Sequence, residues 1–405
     1  MSTVAADPAL ATMTLITSFA EVDEVFRSSD FAPGWGLGAN APFRAHTMTA
    51  LEGDEHFERR RREAVLFRKE ALIAYDQDAL VPAIARGLAT AAAAPDPDGV
   101  VRAELIGLVR PMLLAVSSTV AGIDGLDRLD AARTFLADAA LMSEGSHVQW
   151  SARDQTTVVR DGLAAKQRFA EQFVAPSWQR RQQHAADSLP QRPPDLLALM
   201  IREQPYFSRW DADLVVREAM MYVTGGLFSP SNALPHIADA IDRWLFRHPE
   251  DRAKLSDLAF LRDAATEGLR LHPPGPPKHR RALRDLTLGS GRRIKRDEHL
   301  LLDIAAAGRD PAVFGADAHE FRVPRAATAQ PFGMTFGGGP HACIGRGFTV
   351  GETWPGAPPG MLVRILEALY AAGMRPDPDR KSERMPGNRQ GNYAAYLVRF
   401  DGLAR

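Results

Sequence analysis

The amino-acid sequence predicts a mainly α fold with small β-sheets, and three features indicate it. Up to about residue 270, apolar residues recur at helical spacing in segments rich in Ala, Leu, Arg and Glu. Clusters of Pro and Gly separate these segments, as they do where helices end. Beyond about residue 271, short alternating segments divided by Gly-Ser-Gly and charged turns are typical of a small β-region.

The predicted elements follow the chain in order. Six segments have apolar residues at helical spacing and are predicted helices: Glu55–Phe67, Ala103–Ile123, Asp130–Met142, Leu163–Phe173, Leu214–Phe246 and Asp263–Leu271. Alternation then predicts strands at Ala282–Leu288 and Leu300–Ala305. A Gly- and Pro-rich segment from Pro331 to Gly347 precedes a helix at about Met361–Gly373 and a terminal strand near Tyr393–Phe400. Since there is no internal repeat and no linker of distinct composition, residues 1–405 are predicted to form a single domain.

The net charge of the chain and the length of its apolar segments exclude some classes of function. The chain has 405 residues, with 49 Lys and Arg against 50 Asp and Glu, for a formal net charge of -1. This balance gives no global electrostatic reason to expect nucleic acid as a partner. The most apolar stretch, Met112–Ile123, is about half as long as the roughly 20 residues that cross a bilayer. The first residues also lack the basic start and long apolar run of a secretory signal, so we expect no membrane anchor and a cytoplasmic location.

The only cysteine, Cys343, limits the chemistry further. One thiol excludes intramolecular disulfides, a Cys-based structural zinc site and an all-cysteine iron–sulfur cluster, but one thiolate can still hold a haem iron. Cys343 lies in the segment FGGGPHACIG, from Phe336 to Gly345. Glycines let the backbone approach a flat cofactor, and loop amides can donate hydrogen bonds to a thiolate. The alternative, an inert buried cysteine in a Gly-rich turn, is less favoured because Phe and Gly recur here at fixed offsets from the cysteine.

This loop resembles the haem-binding loop of the cytochrome P450 family, whose pattern is Phe-x-x-Gly-x-x-x-Cys-x-Gly. About 70 residues upstream, Glu267 and Arg270 with the following LHPPGPP resemble the family's Glu-x-x-Arg helix and its proline turn. The likeness extends from about residue 14 to the C-terminus, with a shortened N-terminus. It implies a cytochrome P450 fold and haem b (iron protoporphyrin IX) as cofactor, with the Cys343 thiolate as axial iron ligand.

The same resemblance implies a set of residues around the cofactor. His56 and Arg60, four apart in GDEHFERRRR, match the family's propionate-binding pair, and Arg280 matches the arginine that reaches the other propionate. His341 matches a frequent propionate partner, and Phe336 opens the loop and completes the cofactor-binding set. Two haem carboxylates require two or three cationic donors, so the set is chemically coherent.

Two of these assignments have alternatives. Arg281 adjoins Arg280 and is the alternative propionate partner. The run Arg59–Arg62 is equally typical of a solvated helix face, and we expect that of at least two of the four arginines, because neighbours on a helix differ by about 100°.

The long helix departs from the family pattern at the residues that deliver protons. The family usually has Gly-Gly-x-(Asp/Glu)-Thr there, an acid and an alcohol that relay the protons consumed when dioxygen is split. Phe228 stands at the acid position and Ser229 at the alcohol position. Phe228 cannot carry a proton, whereas Ser229 can still hydrogen-bond a water. Pro230 is expected to kink the helix and to free the carbonyl of Gly226 near the haem, so we assign Gly226, Phe228 and Ser229 to the catalytic centre.

Two further departures from the family pattern concern the ion-pair network of Glu267 and Arg270 and the segment that follows Cys343. Glu320, just before Phe321, stands where an Arg or His of the family closes the network of Glu267 and Arg270, which leaves the third member of that triad unassigned. After Cys343, the insertion TWPGAPPG is expected to interrupt the next helix.

The resemblance therefore implies a haem-thiolate monooxygenase that oxidises a small organic substrate with dioxygen. Its electrons are expected from a separate ferredoxin- or flavodoxin-type donor. A second hypothesis, motivated by Phe228 and Pro230, is a peroxide-driven or other non-standard haem-thiolate reaction. A third is a catalytically silent haem-binding or sensing protein.

Overall fold

The computed structural model describes residues 12–34, 38–126, 129–185, 194–207, 209–326, 328, 330–386, 388 and 390–403. Helices dominate this part of the chain, as the sequence predicts. In chain order they are α1 Phe19–Arg27, α2 Ala41–Arg44, α3 Gly53–Glu63, α4 Lys69–Ala74, α5 Val81–Ala92, α6 Leu105–Ala121, α7 Leu129–Ser146, α8 Gln155–Phe169, α9 Ala175–Ala185, α10 Leu196–Glu203, α11 Ala212–Arg247, α12 Leu258–Leu271, α13 Ile304–Ala307, α14 Pro311–Phe314, α15 Arg346–Val350 and α16 Met361–Ala371.

The strands are short and form small sheets. They are β1 Thr14–Ile16, β2 Phe31–Pro33, β3 Val101–Glu104, β4 Lys278–Ala282, β5 Leu286–Thr287, β6 Arg293–Ile294, β7 His299–Leu302, β8 Met374–Pro376, β9 Glu383–Arg384, β10 Tyr393–Ala395 and β11 Leu397–Phe400. One four-stranded sheet has the order β1-β7-β4-β2, with β1 parallel to β7 and the other pairs antiparallel. An antiparallel sheet β3-β11-β8 and the ribbons β5-β6 and β9-β10 complete the set. The mainly α fold with small β-sheets is thereby confirmed.

Most predicted helices occur within a few residues of their predicted bounds, and the largest error is at the helix predicted from Leu163, which begins at Gln155. The predicted helix Ala103–Ile123 begins only at Leu105, because residues 101–104 pair with β11 near the C-terminus. Local periodicity cannot show this pairing, since the partner strand lies almost 300 residues away. The predicted strand Leu300–Ala305 likewise ends at Leu302, where the Asp303 side chain caps α13.

Two hydrophobic clusters support the fold. The larger one fills the space between the long helices and includes buried side chains of α6, α11, α12 and α16. The smaller one lies between α1 and the four-stranded sheet, where Val22 and Phe26 pack with Leu300 and Leu302. Among the described residues, no helix is long and apolar enough to cross a membrane.

Helix α11 extends over 36 residues. Its N-terminus is capped by Asp211, whose carboxylate accepts from the Leu214 amide at 2.6 Å. The helix continues through Pro230 and Pro235 rather than ending at either. Because Pro230 has no N–H, the carbonyl of Gly226 has no helical donor four residues later. The helix packs most extensively against α6, and a Cβ on Gly226 would lie 2.5 Å from Ser117 Oγ.

Candidate functional site

A cavity of about 430 Å³ brings together every residue that the sequence assigned to the cofactor or the catalytic centre. These residues are His56, Arg60, Gly226, Phe228, Ser229, Arg280, Phe336, His341 and Cys343. They come from α3, α11, β4 and the segment 336–345, which we call the cysteine loop. The placement agrees with the predicted site, while the role of each residue stays a prediction.

Backbone hydrogen bonds and glycines shape the cysteine loop. The Cys343 amide donates to the Phe336 carbonyl at 2.8 Å, which closes the loop. Gly339 has φ +61°, and a Cβ there would lie 2.2 Å from the Phe26 carbonyl oxygen, so only glycine allows the loop to pack on α1. The Cys343 side chain reaches the cavity, and a Gly345 amide hydrogen bond to its sulfur lowers the thiol pKa. Burial has the larger effect and raises that pKa.

The four predicted basic side chains, His56, Arg60, Arg280 and His341, border the same cavity. The His56 and His341 rings stack with centroids 3.8 Å apart. Burial lowers the pKa of His56 to about 4 and that of His341 to about 3, and neighbouring positive charges add to both shifts. Arg280 donates to the His279 carbonyl at 2.9 Å and lies over the Phe26 ring. A set of basic side chains around one cavity is suited to bind an anionic ligand.

The structure distinguishes between Arg280 and Arg281, the two adjacent candidates for the propionate-binding arginine. Arg280 borders the cavity, whereas Arg281 points away and forms an ion pair with Asp297 at 2.8 Å. Successive residues of a strand point to opposite faces, so only one of the two arginines reaches the site. Arg280, rather than Arg281, is the cavity residue.

The expectation that at least two arginines of Arg59–Arg62 are solvated is wrong. Only Arg61 is exposed. Arg59 is buried and forms an ion pair with Glu218 at 3.3 Å, and Arg62 forms one with Glu203 at 2.5 Å. These acidic partners come from α11 and α10, which sequence spacing alone does not bring near α3.

The cavity fits haem by the chemistry of its lining. Among the described lining residues there are four Arg or Lys side chains and no Asp or Glu. Burial of positive charge without a carboxylate is unfavourable, and two propionates supply the missing negative charge. The lining also contains the only thiol of the chain. A group with two carboxylates and a metal that accepts one thiolate therefore matches the residues present.

The residues at the acid and alcohol positions face different surroundings. Ser229 is exposed to the cavity. The Phe228 ring lies under the guanidinium of Arg110 on α6, 5.2 Å from the ring centroid to Cζ. Among the described residues, Arg110 Nε has no hydrogen-bond partner, and burial lowers the Arg110 pKa. A half-buried cation thus lies beside the position where the family usually has an acid.

Arg325 is the third member of the network that the sequence left unassigned. Arg270 forms a bidentate pair with Glu267, at 2.7 Å for both hydrogen bonds. Arg325 Nε donates to the same Glu267 carboxylate at 2.8 Å. Glu320 contributes its backbone carbonyl, which accepts from Arg270 and Arg325. The arginine follows Pro324 in the sequence FRVPR, and this Pro-Arg step was the signal available.

The insertion interrupts the helix after the cysteine loop, as expected. Helix α15 ends at Val350 and α16 begins only at Met361. The ends of the insertion meet, because a Cβ on Gly360 would lie 2.2 Å from the Gly351 nitrogen. Lys69 on α4 lies over the Trp354 ring, 5.2 Å from its centroid, and holds the insertion against the body of the fold.

Three basic residues of the cavity were absent from the sequence prediction: Arg44, His147 and Lys278. Arg44 donates to the Ser146 carbonyl at 3.2 Å and lies 3.0 Å from His147 Nε2. Lys278 precedes Arg280 by two residues on β4, so both side chains lie on the same face of the strand. The alternation of side chains along a strand could have predicted Lys278 from Arg280. No such local pattern was available for Arg44 and His147, which meet only through tertiary packing.

Comparison with known proteins agrees with this site. The family model described as Cytochrome P450 matches residues 237–352. The bifunctional cytochrome P450/NADPH–P450 reductase ALT2 of Alternaria alternata is 36% identical over 103 residues, which are 24% of this chain and 9% of that protein. Cytochrome P450 734A6 of Oryza sativa subsp. japonica is 37% identical over 110 residues, 25% of this chain and 20% of that protein. The chain spans between 9% and 36% of the length of the first curated relatives it matches.

A solved structure shows the fold over nearly the whole chain. HmtT, involved in himastatin biosynthesis, superimposes with a TM-score of 0.74 at 18% identity and covers 95% of this chain and 91% of its own. The family match includes the Glu267 and Arg270 helix and the cysteine loop, and the fold agrees with it. Residues 237–352 therefore match the cytochrome P450 family, and the chain shares its fold with the solved structure.

Proposed function

We propose that this protein is a haem-thiolate monooxygenase that inserts one oxygen atom of dioxygen into a small organic molecule. The observation that carries the proposal is the convergence of the only thiol, four Arg or Lys side chains and Ser229 on one cavity that contains no described carboxylate. Haem b, when bound, supplies oxygen activation, because thiolate donation to the iron favours O–O cleavage.

Each lining residue has a role in this proposal. Cys343 would hold the haem iron through its thiolate, and the Gly345 amide would moderate the charge on sulfur. Arg60 and Arg280 would bind the propionates through charge-assisted hydrogen bonds, with His56 and His341 as neutral donors. Phe336 begins the cysteine loop and, with Phe332, forms an edge-to-face aromatic pair at 5.3 Å.

Proton delivery is assigned to Ser229 and to water held near Gly226. The Ser229 hydroxyl both donates and accepts, so it can pass a proton between two waters. The Gly226 carbonyl lacks its helical donor because of Pro230 and can accept from one of these waters. Phe228 excludes water from the position where an acid would stand. Electrons are assigned to a separate ferredoxin- or flavodoxin-type donor.

The first test is spectroscopic. We expect the purified protein, reduced under carbon monoxide, to show the red-shifted Soret band of a thiolate-ligated haem. Cys343→Ser is expected to lose this band, whereas Lys254→Met, at an exposed residue paired with Asp251, keeps it. A normal band in Cys343→Ser, or no haem in the wild type, would refute the proposal.

A peroxide-driven reaction is the second candidate, and Phe228 is the observation that favours it. Oxygen delivered as peroxide already carries two protons, so a site with no acid at this position needs less proton delivery. The comparison is substrate turnover with hydrogen peroxide against turnover with a ferredoxin and its reductase. Donor-driven oxygenation without peroxide activity would eliminate this candidate.

A further inference from the structure

Lys278 is a half-buried lysine at the cavity that the proposed function does not use. It lies on β4 two residues before Arg280, and its side chain borders the cavity. Within the described part of the chain, its ammonium group forms no ion pair and no hydrogen bond. Gly275 leaves space for this group, because a Cβ there would lie 3.1 Å from Lys278 Nζ. Burial lowers the pKa of Lys278 to about 8, so the ammonium form still predominates at pH 7.

Charge balance shows that one cation remains when haem is bound. Arg44 is set aside, because its guanidinium already contacts His147 and the Ser146 carbonyl. These neutral partners do not cancel the charge of Arg44. Even without it, Arg60, Arg280 and Lys278 place three positive charges at the cavity, and haem brings two propionates, so at least one cation remains. The count holds whichever cation binds which propionate. A positive charge left over in a buried cavity is unfavourable unless another anion binds there.

The rest of the cavity wall on the α11 side is largely apolar. Phe43 and Met48 precede α3, Val120 belongs to α6, and Met220 and Ala233 belong to α11. Such walls bind hydrocarbon and exclude water. A molecule that satisfies both the apolar wall and the remaining cation has an apolar body and one anionic group.

We propose that the substrate is an amphiphilic organic anion whose carboxylate or phosphate group is bound by Lys278. This inference rests on the proposed function, since the charge count includes bound haem. The ammonium group donates charge-assisted hydrogen bonds to the anion, and the apolar body extends along α11 toward the Ser229 hydroxyl. Lys278 is therefore a specificity-determining residue.

Matched ligands test the proposal in the haem-loaded protein. Haem content and the carbon monoxide spectrum are recorded first, followed by binding of octanoate, octyl phosphate and octan-1-ol measured by equilibrium dialysis at pH 7. We expect at least one of the two anions to bind the wild type about tenfold more tightly than the alcohol, as a charge-assisted hydrogen bond allows. A comparison of the dissociation constants of octanoate and octyl phosphate shows whether the site prefers a carboxylate or a phosphate group.

Variants assign the preference to Lys278. Lys278→Met is expected to bind the preferred anion and the alcohol equally, with unchanged haem content, whereas Lys278→Arg keeps the preference. Lys254→Met, at an exposed lysine, is the control and behaves as the wild type. The proposal is overturned if the wild type shows no preference for anions, or if Lys278→Met loses haem and thereby shows that Lys278 holds a propionate. Absence of haem from the wild type overturns the proposed function itself, and the first measurement identifies that case.

Discussion

Phe228 is the residue at which this chain differs most from the family pattern in chemistry. Its ring occupies the space under Arg110, a half-buried cation whose buried Nε has no hydrogen-bond partner among the described residues. A carboxylate placed there would gain an ion pair and a route for protons. The position is therefore suited to an acidic residue, although this chain has Phe228 there.

We predict that Phe228→Asp raises donor-driven oxygenation about tenfold, because a general acid then faces the cavity beside Arg110. The measurement is product formation with saturating ferredoxin and reductase. Phe228→Asn is the matched control, since it has the same size and carries no proton. An equal gain in both variants would mean that space, rather than proton transfer, limits the rate.

Arg325 is a second residue with a clear expected effect. It donates to the buried Glu267 carboxylate and to the Phe314 carbonyl, so its loss leaves Glu267 with one cation fewer and removes a donor from the Phe314 carbonyl. We predict that Arg325→Ala lowers the free energy of unfolding by about 3 kcal/mol, measured by urea denaturation. Arg322→Ala is the control, because Arg322 is half-exposed and pairs with Asp317 at the surface. A loss below about 1 kcal/mol in Arg325→Ala would contradict this role.

Glu63 and Glu218 form a buried acidic pair around Arg59. Tyr222 donates to Glu63 at 2.7 Å, and the Met48 amide donates to Glu218 at 3.2 Å. Burial and the nearby Glu218 raise the pKa of Glu63 well above its ordinary 4.5. The folded protein therefore holds a proton on Glu63 at pH values where the unfolded chain has released it.

This raised pKa sets the sign of a pH effect on stability. Above pH 4.5 the folded state binds more protons at Glu63 than the unfolded state, so stability falls as pH rises toward the folded pKa. We predict that Glu63→Gln, which can still accept from Tyr222, removes this part of the decline. The free energy of unfolding of both proteins between pH 5 and pH 8, measured in urea, tests it. A constant difference across that range would contradict the raised pKa.

At the scale of elements, the close contact of α6 and α11 depends on Gly226. A Cβ at this position would lie 2.5 Å from Ser117 Oγ and 3.3 Å from Ser117 Cβ. We predict that Gly226→Ala lowers stability although alanine is the better helix former, because the two helices must separate. Adding Ser117→Ala is expected to restore most of the loss, as a double-mutant cycle of thermal unfolding would show. Additive effects of the two substitutions would contradict the contact.

The elements that follow the cysteine loop, α15, the insertion and α16, depend on both local sequence and tertiary contacts. The prolines and glycines of the insertion predicted that the helix after Cys343 is interrupted, and it ends at Val350. Sequence could not show that the insertion returns to its start, with Gly360 against Gly351, or that Trp354 packs under Lys69. These contacts keep the cysteine loop next to two short helices rather than one long helix.

At the scale of the whole molecule, haem binding and folding are coupled. The cavity collects Arg60, Arg280 and Lys278 without a described carboxylate, so the haem-free protein contains buried repulsion. We predict that haem raises the free energy of unfolding by about 4 kcal/mol at about one thousand times its dissociation constant. Calorimetry of the haem-free and reconstituted protein measures this gain. The gain is expected to shrink in Arg60→Met, and an unchanged gain would remove Arg60 from the propionate set.

Contiguous patterns allowed the sequence by itself to determine the fold class and the family resemblance, and to predict nine of the residues that border the cavity. Helical periodicity, the offsets of Phe and Gly from Cys343, and the spacing of His56 and Arg60 are each complete within a short stretch of chain. Such signals persist because the local backbone geometry that they require does not depend on distant residues.

Only the tertiary structure decided which distant residues meet. It brought Arg110 over Phe228, Arg325 to Glu267 and Glu218 to Arg59. It also placed Arg44 beside His147, 103 residues away. Partners of this kind are chosen by how helices and sheets pack to bury apolar surface, and a buried charge then requires whichever polar group the packing places nearby. No local pattern encodes that choice, because both partners are ordinary surface residue types until the fold encloses them.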